Sequence, residues 1–175
     1  MDAIDTILTR RSIRHFSPQP VPDEDIQVLL KAAMFAPSAG NAQPWHFILI
    51  NERAVLDQVP NFHTSASFIK ETPLAILICA DEDLAKPGRW IQDCSAAAEN
   101  LLLAAHAGGL GACWIGIQPV PERIEGITRL VNLPDKIQPV CLIAVGYPLT
   151  CKGYPAETRP HPERFRPERI HHNRW

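Results

Sequence analysis

Leu74-Ala75-Ile76-Leu77-Ile78-Cys79-Ala80 is apolar at every position. A strand with one face in water alternates apolar and polar residues, so this unbroken run predicts a strand buried on both faces. Such a strand needs helices above and below it. Working outward, Trp45–Ile50 reads as a strand before it, and Gly111–Ile117 and Val140–Val145 as strands after it. Apolar residues at helical spacing predict a short helix through Ile4, Ile7 and Leu8 that ends near Arg10. A second helix carries Ile26, Leu29, Leu30, Ala33 and Met34 as its buried stripe, with Asp23, Glu24 and Asp25 favouring its start through the helix dipole. The longest runs from about Arg89 to His106 and is apolar around much of its circumference, as a central helix should be. Another opens at Pro121 and runs to about Val131. Residues 52–72 read as a short helix and a polar, mobile loop. Helices interleaved with a few buried strands indicate α+β or three-layer α/β architecture around a small mixed sheet.

At 175 residues the chain reads as one domain, 1–175, in which 150–175 forms an extended C-terminal arm. That arm holds four prolines and five arginines with little periodicity, so it is expected to lie along the body or reach a second subunit. A formal net charge of −2 gives no global attraction to nucleic acid or anionic membrane. The apolar runs are too short to span a bilayer, and the N-terminus lacks the apolar core of a signal peptide. Five widely spaced cysteines with no CxxC pair argue against a zinc or iron–sulfur site and for a reducing compartment. The expected location is cytoplasmic.

Three motifs remain. Gly108-Gly109-Leu110-Gly111 follows a helix and precedes a strand, the reverse of a dinucleotide fingerprint, and reads as a helix C-cap with a tight turn. Arg10-Arg11-Ser12-Ile13-Arg14 lies where a helix gives way to extended chain. Alternate side chains of an extended segment share a face, so Arg10, Ser12 and Arg14 can converge on an anion. The same cluster would also serve as a charged helix C-terminus. Pro37-Ser38-Ala39-Gly40-Asn41-Ala42-Gln43-Pro44 is small, polar and punctuated by Pro and Gly, which lets backbone approach a ligand closely. It would equally serve as an ordinary helix-to-strand loop.

Taken together, the arginine run, the Pro-Ser-Ala-Gly-Asn-Ala-Gln-Pro-Trp loop, Gly-Leu-Gly-Ala-Cys-Trp-Ile-Gly at 109–116 and the terminal Pro-Glu-Arg-Ile-His-His-Asn-Arg-Trp resemble the FMN-dependent nitroreductase family. The resemblance spans essentially the whole chain. It implies a three-layer α/β/α form of the α+β class, with a small, mixed, mainly antiparallel central sheet, and an interlocked homodimer with FMN at the subunit interface. It assigns cofactor binding to Arg10, Arg11, Ser12 and Arg14, with Arg10 at the phosphate and Arg14 near N1 and O2 of the ring. Pro37, Ser38, Ala39 and Asn41 would come from the other subunit. Trp114, Ile115 and Gly116 would line the isoalloxazine, and Arg164 and Arg166 would complete the phosphate clamp. No catalytic side chain and no metal are implied, because hydride would pass from NAD(P)H through flavin N5 to a nitroaromatic or quinone. Alternatives within that reading are a specialised flavin reaction, such as reductive dehalogenation or azoline oxidation, and a flavin-storing protein. Many larger family members carry an acid at the position of Ile115, and residues 52–72 and 81–89 leave little chain for a lid. His63, between Phe62 and Phe68, is the candidate for a substrate contact outside these motifs.

Overall fold

A computed structural model describes residues 1–149 and 163–175. In chain order it contains α1 (Ala3–Thr9), α2 (Asp23–Met34), β1 (Trp45–Ile50), α3 (Arg53–Leu56), β2 (Leu74–Asp81), α4 (Trp90–Ala107), β3 (Gly111–Gly116), α5 (Pro121–Leu130) and β4 (Ile137–Gly146). The four strands form one antiparallel sheet in the order β1-β2-β4-β3. The apolar run at 74–80 is an inner strand of that sheet, paired with β1 through Trp45↔Ala80 and with β4 through Leu74↔Val145.

The burial of β2 on both faces divides the core in two. Ile76, Ile78 and Ala80, with Cys141, Ile143 and Val145 of β4, pack against Leu29 and Ala33 of α2 and Cys94, Ala98 and Leu101 of α4. Ala75, Leu77 and Cys79, with Leu142 and Ala144, face the opposite layer, where Leu56, Val59, Ile69 and Ile127 lie. This is the three-layer arrangement. Residues after α1 add a partial fifth strand, since Ser12 bridges Ala112 in parallel and Ile13 N–H donates to the Ala112 carbonyl at 3.0 Å. The sheet is therefore mixed, with the antiparallel pairs dominant.

Residues 52–72 differ from expectation. They hold α3 and two 3-10 segments, Val59–Asn61 and Thr64–Glu71, rather than a polar loop. Leu56, Val59, Ala66 and Ile69 are buried there, and Phe62 packs beside them. They are spread over a four-residue helix and two short 3-10 segments, each too brief to build a long repeating apolar stripe. Met34, expected inside, is 48% exposed, and Ile91, one of the apolar residues around the long helix, is 44% exposed. Ile4, Ile7 and Leu8 of α1 are exposed as well, with Val28 and Phe35 of α2. The Gly108–Gly111 stretch is a helix end and turn: Gly108 caps α4, and Gly109 takes φ 79° so that Leu110 N–H reaches the Ala105 carbonyl at 2.8 Å. No described helix is long and apolar enough to cross a membrane.

One close approach ties α5 to the 3-10 layer. A Cβ on Gly126 would collide with the Phe62 ring at Cγ. Alanine gains about 1 kcal/mol of helix preference over glycine, but forcing a methyl into packed space costs about 1–3 kcal/mol. Gly126→Ala is therefore expected to lower the melting temperature by several degrees. A thermal melt showing an equal or higher value would contradict this packing.

Candidate functional site

The site is built on the outer edge of β3. Residues 10–14 lie there in extended form, and their side chains alternate as extended chain requires. Arg11 and Ile13 line one cleft of about 530 Å³, together with Thr9, His106, Leu110 and Tyr147. Arg10, Ser12 and Arg14 all bear on Cys113 of β3 instead. Burial pushes the Cys113 thiol above its ordinary pKa, while Arg14, a hydrogen bond with Ser12 and then Arg10 act in the opposite sense. Of these three, Arg14 lines the cleft on the Cys113 side, whereas Arg11, which the resemblance assigned to cofactor binding, lines the first cleft with Ile13, as the alternation predicts.

A second cleft, of about 400 Å³, opens on that side, lined by Arg14, His63, Phe68, Trp114, Gly116 and Arg123, among others. Its lining includes two guanidiniums and no carboxylate, which makes it a positive pocket. The Arg14 guanidinium stands 5.9 Å from the centre of the Phe68 ring. Arg10 Nε is buried without a hydrogen bond, with Glu99 Oε1 3.4 Å away as a loose ion-pair partner. Ile115 is buried at 3% exposure, so it offers the cleft mainly backbone, whereas Trp114 is 36% exposed. Gly116 has no positive φ, and a Cβ there would meet nothing nearer than the Gln118 carbonyl oxygen at 4.0 Å. Among the described residues nothing requires that glycine. It leaves backbone open to a flat ligand.

The loop of Pro37, Ser38, Ala39 and Asn41 lies elsewhere. Gly40, Asn41 and Gln43 take left-handed φ values of 60°, 55° and 48°. Gln43 N–H donates to Ser38 Oγ at 3.0 Å, and Gln43 Nε2 donates to Asn41 Oδ1 at 2.9 Å. Ala39 N–H donates to Oδ1 of Asp93, a buried carboxylate in the first turn of α4, at 3.0 Å. The loop leads into β1, and both β2 and β4 separate β1 from β3. The two motifs therefore sit at opposite edges of one sheet. Arg164 and Arg166 are exposed in the 163–175 segment, and Arg166 Nη1 donates to the Phe165 carbonyl at 3.0 Å. Cys151, Arg159 and the rest of the arm through residue 162 fall outside the described residues.

His63 is only 5% exposed, although it lines the cleft beside Arg14. Ser65, Phe68, Arg123 and Asp93 were not singled out by their sequence setting. Arg123 and Asp93 are single charges on α5 and α4 that belong to no motif, and Ser65 and Phe68 lie in the 3-10 segment Thr64–Glu71.

Comparison with known proteins agrees with the resemblance in family and in fold. The model of the family described as "Nitroreductase family" matches residues 7–147. A protein of Methanothermobacter thermautotrophicus, provisionally named NADH dehydrogenase/NAD(P)H nitroreductase, is 45% identical over 100% of this chain and 88% of its own length. A solved structure from Parabacteroides distasonis, under the same provisional name, superposes with a TM-score of 0.90 at 40% identity, covering 98% of each chain. An FMN-dependent nitroreductase from Clostridium difficile superposes at 0.82 with 30% identity, covering 98% of this chain and 99% of that one. The family model over residues 7–147, with relatives 40–45% identical across nearly the whole chain, places the chain in the nitroreductase family.

Proposed function

We propose that the chain is an FMN-dependent oxidoreductase that works by a ping-pong cycle, with NADH or NADPH as donor and a nitroaromatic or quinone as acceptor. The observation that carries this reading is the carboxylate-free cleft in which Arg14 stands beside the open backbone of Gly116. FMN fits these residues in charge and shape. Its phosphate is close to doubly negative and needs paired guanidiniums when buried. Arg10, with a buried Nε that lacks a hydrogen bond, and Ser12 suit that end. Arg14 suits the pyrimidine edge, where its fixed charge favours the electron-rich, reduced cofactor and raises its potential. The backbone of Trp114, Ile115 and Gly116 would underlie the ring. Bound FMN would supply hydride acceptance and donation at N5, so the protein needs no nucleophile or general acid of its own.

Pro37, Ser38, Ala39 and Asn41 enter the same site only from a second subunit, because in one chain they occupy the opposite sheet edge. Arg164 and Arg166 are assigned to the phosphate in the same dimer, through an arm that crosses between subunits. The exposed apolar residues of α1 and α2, with Phe165, Ile170 and Trp175 of the tail, support such an interface. Sedimentation is expected to give twice the 19.5 kDa chain mass; a monomer with full FMN occupancy would remove the second subunit from the site.

The decisive test is the visible spectrum of purified protein, before and after anaerobic addition of NADH or NADPH. Flavin bands that bleach, and return with a quinone, are the expected result. Bound flavin that stays oxidised would support the storage alternative, and failure to bind added FMN would end the proposal.

A further inference from the structure

Gly116 ends β3, and its carbonyl accepts two hydrogen bonds from two different elements. His63 Nε2 reaches it at 3.0 Å from the turn before the Thr64–Glu71 segment, and Arg123 Nη1 reaches it at 3.0 Å from α5. We propose that His63 is a positioning residue of the cofactor site, which together with Arg123 clamps the Gly116 carbonyl and so fixes the backbone on which the ring would lie. This inference rests on the FMN reading above.

The chemistry of the groups sets their roles. A carbonyl oxygen only accepts, so His63 Nε2 must carry the proton. In the neutral ring Nδ1 is then an acceptor, and Ser65 Oγ stands 3.3 Å from it, placed to donate. Burial first, and then the Arg123 guanidinium, hold His63 below its ordinary pKa, while its bond to Gly116 pulls the other way. The charged or titratable groups sharing its cleft are Arg123 from α5, Arg14 from the segment after α1 and Cys113 from β3, with no carboxylate among the lining residues. The neutral, Nε2-protonated tautomer is the form that this setting selects.

A clamp is needed at this point for a local reason. Glycine has the freest backbone of any residue, and Gly116 is the last residue of its strand. Its ladder partner, Cys141, lies on one side only, and the parallel bridge on the other side is four residues back, at Ala112. Both acceptor sites of its carbonyl are filled, which leaves the peptide little freedom to turn. Small displacements at a reacting centre are expensive in rate, so a fixed floor matters more than its hydrogen-bond energy alone.

The test compares FMN dissociation constants, read by flavin fluorescence, for the wild-type protein, His63→Leu, His63→Gln, Arg123→Met and the His63→Leu/Arg123→Met double variant. Glutamine can place an amide donor where Nε2 stands; leucine cannot. His63→Leu is expected to weaken FMN binding about tenfold. His63→Gln should recover most of that loss, and the double variant should depart from the sum of the singles because both donors share one acceptor. At saturating FMN, His63→Leu should also slow bleaching by NADH or NADPH, whichever reduces the wild-type protein, and His63→Gln should restore it. If the leucine variant binds FMN like the wild type, or if glutamine fails to rescue while melting like the wild type, the positioning role is wrong. If the wild-type protein itself does not bind FMN, the functional reading falls, and this inference with it.

Discussion

Arg14→Ala is expected to weaken FMN binding about a hundredfold and to lower the potential of whatever FMN remains bound. A hydrogen bond to a charged group contributes about 1.5–3 kcal/mol, or roughly 10- to 150-fold in a dissociation constant. The upper part of that range applies because, among the described residues, Arg123 is the other cation lining the cleft, and it already spends Nη1 on the Gly116 carbonyl. Folding should hardly notice the change. Arg14 is exposed, and its recorded ring contact, with Phe68 at 5.9 Å, is of the kind that contributes about 0.5–1 kcal/mol at exposed sites. Arg14→Lys separates charge from geometry: it keeps the positive charge but loses the planar fork, so it should restore much of the potential and less of the affinity. Redox titration of FMN-saturated variants is the measurement. An unchanged potential in Arg14→Ala would place the guanidinium away from the pyrimidine edge.

Much of this fold was legible because the strands are short, apolar and bounded by turn residues. The run at 74–80 dictated helices on both sides, and the ends of β1 and the start of α5 fell where expected. The alternation of residues 10–14 was readable from one geometric rule, and it sorted Arg11 and Ile13 from Arg14. Two things were not legible. The buried face of residues 52–72 is split among short helical pieces that never repeat long enough to show a period, and with it went the setting of His63 and Ser65. Met34, Ile91 and the apolar side of α1 look like core residues by spacing, yet they are exposed, since periodicity reports an apolar face and says nothing of what covers it. Arg123 illustrates a further limit. Its role comes from reaching back seven residues to the carbonyl of Gly116, and a charge on an amphipathic helix carries no mark of that.

Gly116→Val should move stability and binding in opposite directions. Glycine inside a strand costs about 0.5–1 kcal/mol relative to alanine, and valine is among the residues that favour strands. Because a Cβ at this position has no neighbour closer than 4.0 Å, the FMN-free variant is expected to melt at or above the wild-type temperature. FMN should then raise the melting point of the wild type and leave the variant unmoved. Ligand at a hundred times its dissociation constant adds about 2.7 kcal/mol, a shift of several degrees for a chain of this size. The branched side chain would stand in the space that the ring needs, so binding should fall more than a hundredfold. If the FMN-free variant unfolds, the glycine serves the fold after all; if it binds FMN like the wild type, the ring does not lie over Gly116. A glycine that the protein interior does not require is explained by what lies outside it, and this pair of melts tells the two cases apart without assuming any reaction.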